Sequence, residues 1–89
     1  MTNYTATATV TTETATGYYG WRNWETWNVS LWIGNDEGLY QLARGLRYRG
    51  YQAFRDLMLE IGCTGTPDGA AWDDPDLDLD QLDDMMREL

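Results

Sequence analysis

Apolar residues recur at helical spacing in four stretches of the chain. Over residues 24–33, Trp24, Trp27, Leu31 and Trp32 share one broad helix face, and Val29 and Ile33 fall outside it. A helix apolar over most of its circumference predicts burial on more than one side. Asn28 lies within the apolar arc, so if buried it requires hydrogen-bond partners. Asn23 is the expected N-cap, and Glu25 in the first turn favours the helix dipole. Trp27, Val29, Leu31 and Ile33 also alternate as a strand would, but the cap signal and the helical segments that follow favour a helix.

Leu39, Leu42, Ala43 and Leu46 stand at i, i+3, i+4, i+7 and predict a second helix over 36–48. Gly34 is its expected preceding stop and Asn35 its N-cap. Gly45 within it suggests close packing against a neighbour. Tyr51, Phe54, Leu57, Met58 and Ile61 mark a third helix over 51–61, with Gly62 as its stop. Residues 63–69 read as a loop, because Pro67-Asp68-Gly69 is a strong turn signal. Trp72 is expected to dock back onto the core. Leu79, Leu82, Met86 and Leu89 form the stripe of a last helix over 79–89, begun by Asp78, with Gln81 completing a capping-box-like pair.

These elements predict a small all-α domain over 20–89, with three main helices and a short C-terminal one. Trp24, Trp27, Leu31, Trp32 and Trp72 are its expected core anchors. Four of the five tryptophans lie within residues 21–32, which makes this stretch the expected hub of the fold. Trp21, at its edge, is the candidate for an exposed contact. Solvent exposure of Trp27 or Trp32 would instead make the stretch an interface. Residues 1–19 read as a flexible arm and hinge, because eight threonines in residues 2–16 leave little apolar surface to offset ordering entropy. The alternative is an α+β arrangement in which the arm supplies a strand, to this domain or to a neighbouring molecule.

Composition narrows the chemistry. Eighty-nine residues make one domain, and the lone Cys63 permits no internal disulfide. All six basic residues are arginine, and histidine is absent, so the commonest general base and zinc ligand are missing. Cys63 therefore has no histidine to activate it. No apolar run approaches a membrane span and no signal peptide is evident, so a cytoplasmic setting is expected. Neither a cofactor nor enzymatic activity is expected.

The charge is uneven. Residues 68–89 hold nine acids and one arginine, −8 of a net −9. The candidate binding residues are Asp73, Asp74, Asp76, Asp78, Asp80, Asp83 and Asp84. An EF-hand fails on position, since a loop starting at Asp74 or Asp76 has neither the glycine nor the final glutamate. On an extended chain, Asp74, Asp76, Asp78 and Asp80 would form a row on one side, about 6.6–6.8 Å apart, comparable with phosphates along a nucleic-acid strand. The plainer use of such a run is helix capping and solubility. Arg44, Arg47, Arg49 and Arg55, interleaved with Tyr48 and Tyr51, are the only basic cluster. They are expected to pair with the acidic segment rather than to bind nucleic acid directly.

The residues Asn23-x-Glu25-Thr26-Trp27-Asn28-Val29-x-Leu31-Trp32-Ile33-x-Asn35-Asp36, with Leu39-Tyr40, form one motif. Thr66-Pro67-Asp68-Gly69-x-x-Trp72, with Leu77-Asp78, forms a second. Together they resemble a family of small proteins from bacteriophages and bacterial mobile elements, over about residues 20–89. The resemblance implies a small accessory protein acting on a host component, and it brings no catalytic residue. The expected function is thus a non-enzymatic acidic protein that binds and modulates a host protein with a basic surface, a nucleic-acid-binding enzyme above all. The alternative is a structural, self-assembling protein that uses the arm and exposed aromatic surface.

Overall fold

The computed structural model describes residues 18–89, and the expected arm lies outside the described residues. Four helices follow in order: α1 (Trp24–Asn35), α2 (Glu37–Gly45), α3 (Tyr51–Glu60) and α4 (Leu79–Arg87). The domain is all-α, and among the described residues only two isolated β-bridges occur. Asn23 caps α1 by accepting from the Thr26 amide. The helix runs through Gly34 to Asn35, and Asp36 caps α2 by accepting from the Leu39 amide. The α1–α2 junction is thus a single residue, one position later than the Gly34–Asn35 pair suggests.

Helix α2 ends at Gly45, short of the expected residue 48, and the chain passes into tight turns over 46–49. The reason is local. Gly45 is a weak helix former, and the Arg47 guanidinium folds back to donate to the Arg44 carbonyl, satisfying a free end of the helix. Close packing does not explain Gly45, because a Cβ there would meet nothing within 4 Å. Helix α3 stops at a Schellman arrangement. Gly62 takes φ +87, its amide donates to the Leu59 carbonyl, and that of Cys63 donates to Met58.

The core joins Val29 and Ile33 of α1, Ala43 of α2, Tyr51, Phe54 and Met58 of α3, and Leu82 and Met86 of α4. Trp72, from the α3–α4 loop, lies within it, edge-on to Phe54 at 5.3 Å and 85°. The Tyr51 hydroxyl donates to the Trp72 carbonyl at 2.7 Å, and burial raises its pKa above the usual tyrosine value.

The tryptophan stretch is used differently from the expectation. The residues α1 buries are Thr26, Asn28, Val29, Ser30 and Ile33. Trp24, Trp27, Leu31 and Trp32 are only half-buried, and of these Trp24 alone packs against the core cluster. Thr26, Val29 and Ile33 stand at i, i+3, i+7, a stripe of β-branched side chains that faces the interior. The indoles of Trp24, Trp27 and Trp32 lie off it. They flank the stripe, where the Trp32 N–H reaches a polar partner, as a half-buried indole requires.

Candidate binding surface

Two polar networks weld α1 to the loop between α3 and α4. In the first, buried Asn28 donates to Asp68 Oδ2 at 2.9 Å and accepts from the Thr66 hydroxyl at 2.6 Å. Trp32 Nε1 donates to the same Asp68 oxygen at 2.9 Å. These two donors hold the Asp68 carboxyl below the usual aspartate range, although the residue is exposed. Thr66 also accepts from the Ala70 amide, closing the turn at Pro67-Asp68-Gly69. Gly65 is required there, since a Cβ would lie 2.5 Å from the Ala70 carbonyl oxygen.

The second network ties the start of α1 to the start of α4. Asn23 donates to the Asp76 carbonyl at 2.7 Å, and the Asp78 amide donates to the Thr26 hydroxyl at 3.0 Å. Asp78 accepts from the Gln81 amide, but Gln81 does not complete a capping box. Its side chain accepts from the Arg22 amide and donates to the Gly20 carbonyl, both at 2.9 Å. That pair fastens the turn over residues 18–21 onto α4, so this part of the expected hinge is clamped. The amide of Trp21 donates to the carbonyl of Tyr18, and both central residues are left-handed, Tyr19 at φ 57 and Gly20 at φ 94. Glycine takes this conformation freely, whereas a tyrosine there costs about 1–2 kcal/mol. The rings of Tyr18 and Tyr19 lie 6.4 and 6.2 Å from that of Trp27.

The acidic residues divide by what the fold asks of them. The extended row of Asp74, Asp76, Asp78 and Asp80 does not form, because residues 71–77 make two successive turns. Asp74 accepts from the Asp76 amide, and Asp78 caps α4. Asp83 reaches across to α3, where Gly50 offers no side-chain cap, and accepts from the Tyr51 amide at 2.7 Å. Asp84 pairs with Arg87 at 2.6 Å, both side chains largely exposed. The carboxylates of Asp73, Asp76, Asp80 and Glu88 accept no hydrogen bond from the described residues.

Asp80, Asp84 and Glu88 stand at i, i+4, i+8 on the outer side of α4, each about 6 Å further along the axis. This stripe includes Glu88, which the alternating-aspartate pattern leaves out; helical spacing in 79–89 was the signal that finds it. Beside the stripe runs an open groove of about 570 Å³ between the residue 18–21 turn and α4. Tyr19 and Trp21 line one side, and Gln81, Asp84, Met85 and Glu88 the other.

The arginines do not neutralise the acidic segment. Arg55 pairs with Asp56 and Arg87 with Asp84, and no other ion pair forms among the described residues. Arg47 lies over the ring of exposed Tyr48 at 4.8 Å. Tyr51, interleaved with these arginines in sequence, is buried. The charge asymmetry of the sequence therefore persists as an uncompensated asymmetry of the surface.

No three His, Cys, Asp or Glu side chains converge as a metal site among the described residues, and none of the described helices is long and apolar enough to cross a membrane. Both motifs and both networks fall within the span of one family model. The chain belongs to DUF7249, a family of unknown function, whose model matches residues 14–89. Comparison with curated proteins and with solved structures gives no match. The family match covers all four helices and the clamped turn.

Proposed function

We propose that the protein is a non-enzymatic binding module whose acidic edge, the α4 stripe of Asp80, Asp84 and Glu88 together with the loop's Asp73 and Asp76, docks on a basic surface of a host protein. The observation that supports this is the division among the acids. Asp68, Asp74, Asp78 and Asp83 hold the fold, whereas Asp73, Asp76, Asp80 and Glu88 are left unengaged, and Asp84 has only a solvent-exposed partner. Like charges at i, i+4 on a helix oppose its formation by a few tenths of a kcal/mol each. A basic partner would turn that opposition into attraction. The resemblance to bacteriophage and mobile-element proteins suggests that the host is bacterial and the role accessory. A nucleic-acid-binding enzyme is the favoured partner, since its basic groove accepts a line of carboxylates in place of phosphates.

The test is capture of partners from bacterial lysate, followed by competition with duplex DNA. A partner of this class is released by rising salt and by DNA, and is not captured by the Asp73→Asn, Asp76→Asn, Asp80→Asn, Glu88→Gln variant. Capture indifferent to salt and to those substitutions would refute the reading.

A further inference from the structure

The groove between the residue 18–21 turn and α4 is built unlike the rest of the surface. Tyr19 is 80 % exposed, yet it is held in a left-handed conformation that a glycine would adopt without strain. The two Gln81 hydrogen bonds fix this turn against α4, so the two walls of the groove keep one spacing. One wall is aromatic, Tyr19 and half-buried Trp21. The other carries the Asp84 and Glu88 carboxylates, with Met85 beside them. An aromatic wall facing carboxylates matches one chemistry, a cation with an extended apolar stem. The ring quadrupole and the anions both attract the charge, and Met85 and the rings cover the stem. Arginine fits this better than lysine, because its planar guanidinium both stacks on a ring and bonds a carboxylate. The groove's own Arg87 already places a guanidinium on Asp84 at 2.6 Å.

We propose that this groove is the anchor point for one arginine side chain of the partner protein, held between Tyr19 and Trp21 on one side and Asp84 and Glu88 on the other. The proposal takes only the sign of the partner's charge from the reading above. Arg87 competes for Asp84, so partner binding displaces it.

The probe is an octa-arginine peptide, compared with octa-lysine, at low ionic strength, followed by NMR through the Trp21 indole N–H and the Gln81 side-chain amide. Saturable shifts at both signals and tighter binding of octa-arginine are expected. Tyr19→Gly keeps the turn and removes the ring, and it should weaken octa-arginine about two- to fivefold, the range an exposed cation–π contact supports. Tyr19→Phe should bind as the parent protein does, and Arg87→Gln more tightly. Equal loss of both peptides in Asp80→Asn, with no effect of Tyr19→Gly, would overturn the anchor and leave the acidic edge intact. No effect of either substitution would overturn both.

Discussion

The α3–α4 loop and the outer side of α4 are neighbours in sequence and both rich in acids, but Asp68, Asp74 and Asp78 of the loop and the acids of α4 do opposite things. In the loop, Asp68 gathers a buried asparagine and an indole, and Asp74 and Asp78 satisfy backbone amides. Each of these three carboxylates takes a donor that the fold brings to it, whereas the carboxylates of the loop's Asp73 and Asp76 accept nothing from the described residues and belong with the free acids. On α4, Asp80, Asp84 and Glu88 face solvent and satisfy no backbone group. A carboxylate's neighbours, not its place in an acidic run, decide whether it stabilises the fold or remains available. The difference is measurable, because the same change, acid to amide or polar to alanine, should have opposite consequences in the two regions.

The largest effect should come from the loop's buried centre. Asn28→Ala removes the acceptor of the Thr66 hydroxyl and a donor to Asp68, in a site that is 1 % exposed. A loss of about 2–4 kcal/mol is expected from denaturant unfolding, since buried polar groups are left unsatisfied and a small cavity forms. A loss below half a kcal/mol would mean that α1 is held by its apolar stripe alone. Asp83→Ala comes next. It strips α3 of a cap supplied from another helix, and about 1 kcal/mol should be lost, with Asp83→Asn losing less because its amide oxygen still accepts.

These two positions also mark what the chain reveals before it folds. Helix existence and caps were readable in Asn23 and Asp78, because the evidence is local: a side-chain oxygen and an amide three residues on. The Asp83 cap on Tyr51 joins residues 32 apart, and nothing near Gly50 announces it. Burial of Val29 and Ile33 in place of Trp27 and Trp32 was illegible for a related reason. Periodicity identifies faces but not which face the neighbours approach, and here the loop over 63–78 takes a second side of α1. Asn28 was marked as needing partners, and Thr66 and Asp68 were visible as turn residues, but only the fold brings the two together. The candidate surface was half legible. The charge was plain, its division into engaged and free carboxylates was not.

A smaller effect is expected from acid. The Asp68 carboxyl titrates below its ordinary value because Asn28 and Trp32 donate to its charged form. A depressed folded-state pKa contributes stability that is complete above the unfolded value, about 4, and is lost as pH falls through the folded one. Thermal unfolding followed from pH 6 down to pH 2 should therefore show a decline that Asp68→Asn flattens. The amide oxygen of the variant can still accept from Asn28 and Trp32 but lacks the charge that strengthens both bonds, so near pH 6 the variant should be less stable than the parent by about the amount the parent loses to acid at this site. An equally steep decline in the variant would place the acid sensitivity elsewhere.

The smallest effect on stability should come from the α4 stripe, and its sign is the informative part. Asp80 supports the dipole at the start of α4, whereas Glu88, just past the helix end, faces the negative pole and stands four residues from Asp84. Asp80→Asn should thus cost a few tenths of a kcal/mol and Glu88→Gln gain about as much, leaving the double variant within about 0.5 kcal/mol of the parent. Neutralising the stripe would then change what the protein binds without changing whether it folds, the reverse of Asn28→Ala. A loss of 2 kcal/mol or more would show that Asp80 or Glu88 is engaged in the fold after all. The contrast between loop and helix would then collapse, and the acidic edge would lose its claim to be a surface kept free for a partner.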